Sequence, residues 1–260
     1  MKIKLYTRDQ NLQGIAENQK ECVVESAEWS MTRQKGNGTP GFSSRFETRE
    51  SFLAPMWELD YAIGFRLSSY LREIGAERVL SLASGPAYHE YLIKKELPGI
   101  HLTVSDFDPF IIDTLKRLFP EYEEHIVFNI KEEDFSKMRG KYDTVIIIEA
   151  IYAFSDLELV YFLQNIRRME PVNLLIIMKS YADFKKCFTY YRNIIFKSII
   201  NLKKGIMKEP ALSWGRFHGW SRSRGTITKL VRKSDVFKLK IFEDWRDIRS
   251  DVAFCHLIPR

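Results

Sequence analysis

The spacing of apolar positions changes several times along the chain, and each change marks an element. Between Ser51 and Ile74, the residues Leu53, Trp57, Tyr61, Phe65, Leu67 and Leu71 recur at spacings near three and four. That spacing predicts an amphipathic helix or a bent pair of helices, with Gly75 as its stop. From Val79 onward, short apolar runs alternate with helical stretches. Val79–Ala83, Leu102–Val104, Ile126–Phe128, Tyr142–Ile148 and Val172–Met178 read as strands, and Tyr88–Leu97, Phe110–Phe119 and Leu157–Met169 as helices. Val145–Ile148 and Leu174–Met178 are continuous apolar runs, as expected of strands covered on both faces, and are far short of the roughly 20 residues a bilayer span needs. The alternation predicts right-handed βαβ units and a parallel sheet. After Tyr181 the rhythm breaks. Phe184–Met207 is basic and helix-like, Trp214–Arg224 reads as a loop or turn, and a short helix follows. Val236–Phe242 and Val252–Ile258 then read as an antiparallel hairpin across the charged turn Asp244–Asp251. Residues 1–50 are polar and mixed, and Lys35–Gly41 reads as a flexible loop.

Composition narrows the class. A chain of 260 residues that is 45% hydrophobic can build a sizeable core, which excludes a disordered or collagen-like chain. The three cysteines, Cys22, Cys187 and Cys255, are far apart and form no C-x-x-C pair, which argues against a disulfide framework or a zinc knuckle and fits a reducing compartment. The first residues hold no apolar signal-peptide core, so the expected location is cytoplasmic. No metal site is expected. The net charge of +6 is unevenly distributed. Lys179–Lys240 holds 16 basic and 3 acidic residues, a net +13, and the rest of the chain carries −7. Such a segment suits an anionic partner.

The first strand runs into Ala83-Ser84-Gly85-Pro86-Ala87 and then a helix, and Asp106 ends the second strand 21 residues after Gly85. A turn of small residues lets backbone approach a ligand, and a helix N-terminus offers free N–H groups. In a doubly wound sheet this arrangement sets a carboxylate where it can accept both hydroxyls of a ribose. A nicotinamide site would want glycine at 83, 85 and 88; the chain has Ala83, Gly85 and Tyr88.

Three segments resemble the motifs of class I S-adenosylmethionine-dependent methyltransferases. Val79-Leu-Ser-Leu-Ala-Ser-Gly-Pro-Ala87 is similar to the first, Thr103-Val-Ser-Asp-Phe-Asp-Pro109 to the second-strand motif, and Tyr142-Asp-Thr-Val-Ile-Ile-Ile-Glu-Ala-Ile-Tyr152 to the fourth-strand motif. The likeness covers roughly residues 75–180. The chain departs from the pattern at Ser81, where the family usually has an acid that helps hold the cofactor's amino group, and at Ala83 and Ala87, where it has glycines. Glu90, on the following helix, is an alternative acid for that role. The resemblance implies a Rossmann-like doubly wound α/β fold, mostly parallel with a C-terminal antiparallel hairpin. The α/β domain is expected over 75–260, with a basic substrate-side insertion at 181–228 and an N-terminal helical cap or lid over 1–74. It also implies S-adenosylmethionine as cofactor, held by Ala83, Ser84, Gly85, Pro86, Asp106 and Phe107. Asp108 is a second choice for the ribose. Asp134 and Phe135 would supply a polar edge and an aromatic face for adenine, and Glu149 and Tyr152 would line the transfer site.

An alcohol acceptor also needs a base. His218 is the leading candidate beside Tyr152, because it sits in a stretch with Arg216, Trp220, Arg222 and Arg224 that suits a binding loop. Arg216 and Arg222 can grip an anion by paired hydrogen bonds, and Trp220 adds an aromatic wall. His101, His125 and His256 lie in or beside strands and read as structural; His89 lies close to the turn. The expected acceptor is a hydroxyl on a small or glycan-like anionic molecule. Two alternatives stay open: an N-methyltransferase acting on RNA or protein, and a binding protein that has lost the chemistry. The basic stretch 184–207 either roofs the site or lies on a membrane surface, at the inner face of the membrane. Nucleic acid is the less favoured partner because no RNA-binding module is recognisable.

Overall fold

The computed structural model describes residues 2–7, 48–54, 56–180, 192, 216–249 and 251–260, and for 2–7 and 216–219 the backbone alone. The expected loop at 35–41 and, apart from Arg192, the basic stretch 184–207 lie outside the described residues.

The chain begins with β1 (Lys2–Thr7), followed by α1 (Arg49–Leu53) and α2 (Glu58–Glu73). Alternation then runs through β2 (Arg78–Leu82), α3 (Tyr88–Glu96), β3 (His101–Asp106), α4 (Pro109–Leu118), β4 (Glu124–Val127), β5 (Thr144–Ile148), α5 (Asp156–Arg167) and β6 (Asn173–Lys179). It closes with β7 (Arg216–Arg222), α6 (Arg224–Ser234), β8 (Phe237–Asp244) and β9 (Val252–Pro259). Two short 3-10 turns, Phe135–Met138 and Ile151–Ala153, follow β4 and β5.

Seven strands form one sheet in the order β4-β3-β2-β5-β6-β9-β8. The first five are parallel, and β9 runs antiparallel between β6 and β8. The sheet is therefore the expected doubly wound one, and its reversed strand is inserted beside β6 rather than left at the edge. The apolar runs alternate between two cores. Leu80, Leu82, Val145, Ile147 and Ile176 face the side covered by α5 and α6. Val79, Leu102, Val104, Ile146 and Ile177 face the side covered by α2, α3 and α4. The chain leaves β2 for β3 and β4, then crosses back to β5 on the other flank. That reversal opens a crevice beyond the C-terminal ends of β2 and β5, where ligands bind in sheets of this kind.

Three expectations are corrected. The bent pair of helices is present, and Gly75 (φ +65°) ends α2 in a Schellman motif, with Ala76 N–H on Leu71 O and Gly75 N–H on Arg72 O. However, Ile63, Leu67 and Leu71 form its buried stripe, while Trp57, Tyr61 and Phe65 lie on the exposed face at 70, 41 and 43% exposure. Within the expected turn at 214–224, Arg216–Arg222 is a strand: β7 pairs antiparallel with β1 in a separate two-stranded ribbon. The N-terminal segment thus contributes a strand as well as helices. Neither ribbon strand alternates apolar and polar residues over its length, which is why the sequence pattern misses both.

Candidate active site

The turn after β2 takes an alternating backbone path. Ala83, Gly85 and Ala87 all lie in the left-handed region, at φ of +55°, +55° and +53°. Glycine adopts this conformation freely, whereas an L-residue pays roughly 1–2 kcal/mol. The two alanines keep the shape expected of glycine positions at a strain cost, and such strain is held where surrounding structure over-determines it. Here the surroundings are the end of β3. Ser84 N–H donates to Ser105 O at 2.8 Å, and Gly85 N–H donates to Asp106 Oδ2 at 2.9 Å. The second Asp106 oxygen accepts the Asp108 amide at 3.1 Å. Asp106 is 1% exposed, so its carboxylate is fixed from two directions. Asp108 instead caps α4, accepting Phe110 N–H, with Pro109 in the first turn. Pro86 and Phe107 flank these groups at intermediate exposure.

A second acid lies under the same turn. Glu90, on α3, is fully buried, and its Oε1 accepts the Ser81 hydroxyl at 2.5 Å. Its Oε2 is buried without a hydrogen-bond partner. Burial holds this carboxyl above the usual range, aided by the charge of Asp106 and opposed by His89 and the Ser81 bond. His89 itself reaches Asp60 of α2 at 3.5 Å.

The adenine-side pair divides. Asp134 is exposed and caps the 135–138 turn; its bonds from Ser136 hold it below the ordinary carboxylate range. Phe135 is corrected: its ring is 1% exposed and packs edge-on to Phe128 and Phe162 in the core, so it offers no open face for a base.

Beyond β5, Glu149, Ile151, Tyr152, Met178, Lys179, Trp220 and Arg222 line a narrow cleft with no free space the size of a water molecule. Glu149 is another left-handed residue, at φ +49°. Its Oε1 receives Arg249 from the β8–β9 turn at 2.5 Å, and Arg249 also pairs with Asp251. Nothing in the sequence linked Arg249 to Glu149, because the pair closes over 100 residues. Arg222 is corrected as a substrate grip. It is 1% exposed, and its donors go to Asp156 Oδ1 (3.0 Å), Ile151 O (3.2 Å) and Phe154 O (2.5 Å). Burial lowers its pKa from the usual guanidinium value, against the pull of Asp156. It moors the turn that carries Tyr152, and Lys179 is the cationic residue of the cleft wall besides it. In the ribbon, Leu5 pairs with Gly219 and Tyr6 with Phe217, which leaves His218 as the extra residue of a bulge, two positions before Trp220. The side chains of Arg216 and His218 lie outside the described residues.

The remaining histidines have structural partners. His101 meets Glu123 and His125 meets Phe119 O. His256 is bonded by Tyr70 and Asn173. Among the described residues no cluster of three or more His, Cys, Asp or Glu could hold a metal ion, and no helix is long and apolar enough to cross a membrane.

No family model and no curated relative matches this chain. Solved structures do. It is similar to the mitomycin 7-O-methyltransferase MmcR at 14% identity and a TM-score of 0.56, over 82% of this chain and 57% of that one. Human N-acetylserotonin methyltransferase in complex with SAM gives 14% and 0.51, over 82% and 59%. The magnesium protoporphyrin IX methyltransferase ChlM of Synechocystis PCC 6803 with bound SAH gives 10% and 0.51, over 77% and 83%. The chain spans little more than half the length of the first two. The likeness is one of fold: this is the class I S-adenosylmethionine-dependent methyltransferase fold.

Proposed function

We propose that the protein is an S-adenosylmethionine-dependent methyltransferase whose acceptor is a hydroxyl on a small or glycan-like anionic molecule. The observation that carries the reading is the union of Gly85 and Asp106 at the crevice. Asp106 is a buried carboxylate held at the end of β3 by the Gly85 and Asp108 amides, a group whose two oxygens suit the two adjacent hydroxyls of a ribose. The left-handed path through Ala83, Gly85 and Ala87 is a small-residue turn of the kind that lets backbone approach a ligand.

The bound donor supplies an already activated methyl group, so the protein's task is to orient the acceptor and manage its proton. In this reading Asp106 fixes the ribose. Glu149, held by Arg249, and Tyr152, on the turn moored by Arg222, orient the acceptor at the mouth of the narrow cleft they line with Trp220 and Lys179. His218, in the bulge of β7, takes the hydroxyl proton. The net positive charge of 179–240 in the sequence suits an anionic acceptor. The hydroxyl assignment draws on the mitomycin 7-O-methyltransferase of the same fold.

Calorimetry with S-adenosylhomocysteine tests the cofactor. Wild-type protein is expected to bind, and Asp106→Ala to bind at least about tenfold more weakly. No binding by wild type, or equal binding by the variant, overturns the reading. Full methyl transfer to acceptor hydroxyls by His218→Ala would remove the base assignment alone.

A further inference from the structure

Helix α6 carries four cations, Arg224, Lys229, Arg232 and Lys233, and no acid. All four are exposed, and none forms an ion pair with a described residue. Arg66, Arg139, Arg246 and Arg260, elsewhere on the surface, are each paired with an acid. Ile227, Leu230, Val231 and Ser234 are buried, so the helix period turns Lys229 and Arg232 directly away from the core. Helix physics accounts for only part of this set. Arg232 and Lys233 lie in the last turn, where the helix dipole favours a cation. Arg224 is the first helical residue, where the dipole opposes one, and Lys229 and Lys233 repel each other at a spacing of four. A local rule broken without a local compensation points to function.

The row starts two residues after Arg222, which lines the cleft, and runs for about 14 Å along the helix. That length suits several anions in succession. The cleft is too narrow to enclose an acceptor, so most of an acceptor lies outside it. None of the exposed large apolar side chains of the described residues is on α6 or β8. Phe242 of β8 lies under the Arg224 guanidinium, 5.8 Å from the ring centre. The row therefore has no apolar wedge for a bilayer and no open aromatic face on which a base could stack. A hydrophilic chain with repeated anions matches what is left. We propose that α6 is a track for an acidic glycan, a chain with an anion on successive sugars. One hydroxyl of the chain meets the mouth of the cleft, and the following sugars lie along Arg224, Lys229, Arg232 and Lys233. The inference names the acceptor class of the methyltransferase reading above and rests on that reading.

The test is calorimetry with galacturonate, hexagalacturonate and the neutral maltohexaose, in the presence of S-adenosylhomocysteine. Wild type is expected to bind hexagalacturonate about tenfold or more tightly than galacturonate, to lose most of that gain between about 0.05 and 0.5 M salt, and to show no such gain with maltohexaose. The variant Lys229→Gln/Arg232→Gln/Lys233→Gln should lose the gain with length while binding S-adenosylhomocysteine within about twofold of wild type. The three residues are exposed, so a thermal melt should show a folded variant. Lys229→Arg/Arg232→Lys/Lys233→Arg keeps the charge and should keep the gain. A wild type with equal affinity for the monomer and the hexamer overturns the proposal whether or not any variant folds. So does an equal gain with maltohexaose, or a glutamine variant that keeps the gain. Tighter binding of hexauridylate, or of phosphatidylserine vesicles, than of hexagalacturonate also overturns it and assigns the track to a nucleic acid or a membrane. A wild type that shows the gain with length but does not bind S-adenosylhomocysteine overturns the methyltransferase reading, and with it the role of the glycan as acceptor.

Discussion

Gly85 N–H donates to Asp106 Oδ2 at 2.9 Å, which ties the turn after β2 to the end of β3, 21 residues away. The same carboxylate holds the amide that precedes α4. One side chain thus ties two loops to the end of β3. Asp106→Ala should leave two amides without their acceptor and cost about 2 kcal/mol of stability. A urea unfolding curve reads that loss, independently of ligand binding.

The strain in the turn is separable from its chemistry. Ala83→Gly should relieve a left-handed alanine and stabilise the protein by about 0.5–1 kcal/mol after glycine's greater unfolded-state freedom is counted. Ala87→Gly should gain nothing measurable, because Ala87 is fully buried and its methyl contributes about 0.8 kcal/mol of its own. Thermal melts of the two variants should differ by about 1–4 °C.

Arg222 braces the turn that carries Tyr152. Removing its side chain strips the Ile151 and Phe154 carbonyls of their donor and leaves Asp156 without its cation. Arg222→Ala should cost about 2–4 kcal/mol. Arg222→Lys should recover less than half of that, since an ammonium cannot reproduce the planar fork that serves three acceptors. Chemical unfolding of both variants checks the order. Equal stability of wild type and Arg222→Ala would return Arg222 to the list of surface cations.

His256 couples the fold to pH. Tyr70 O–H donates to Nδ1 at 2.6 Å, Nε2–H donates to Asn173 Oδ1 at 2.9 Å, and Asn173 in turn donates to Thr144 Oγ1. Burial, with a smaller push from Lys240, lowers its pKa to about 4. The folded state therefore favours the neutral ring. Stability is unaffected above pH 6.5, falls as pH drops from 6.5 toward 4, and falls no further from this group below that. The full loss is about 3 kcal/mol. Urea midpoints from pH 7 to pH 4 should fall more steeply for wild type than for His256→Asn, whose offset at pH 7 is constant. Parallel slopes would contradict the assignment.

The chain's own pattern determined the elements of the central sheet, though not the β1–β7 ribbon, and the turn and acid that flank the crevice. Continuous apolar runs at Val145–Ile148 and Leu174–Met178 require strands covered on both faces, and a strand, a small-residue turn, a helix and an acid in succession are local features that need no distant partner. What the tertiary structure decided are the pairings across long separations and the direction each face takes. Phe135 and Arg222 show the reason. An aromatic beside a loop and an arginine in a basic stretch both look available, yet packing against Phe162 and the carbonyls of residues 151 and 154 consumes them. Glu149 and Arg249 meet only because β9 inserts beside β6 and brings its preceding turn over β5. Burial and hydrogen-bond satisfaction are properties of the assembled sheet, and no local window of sequence carries them.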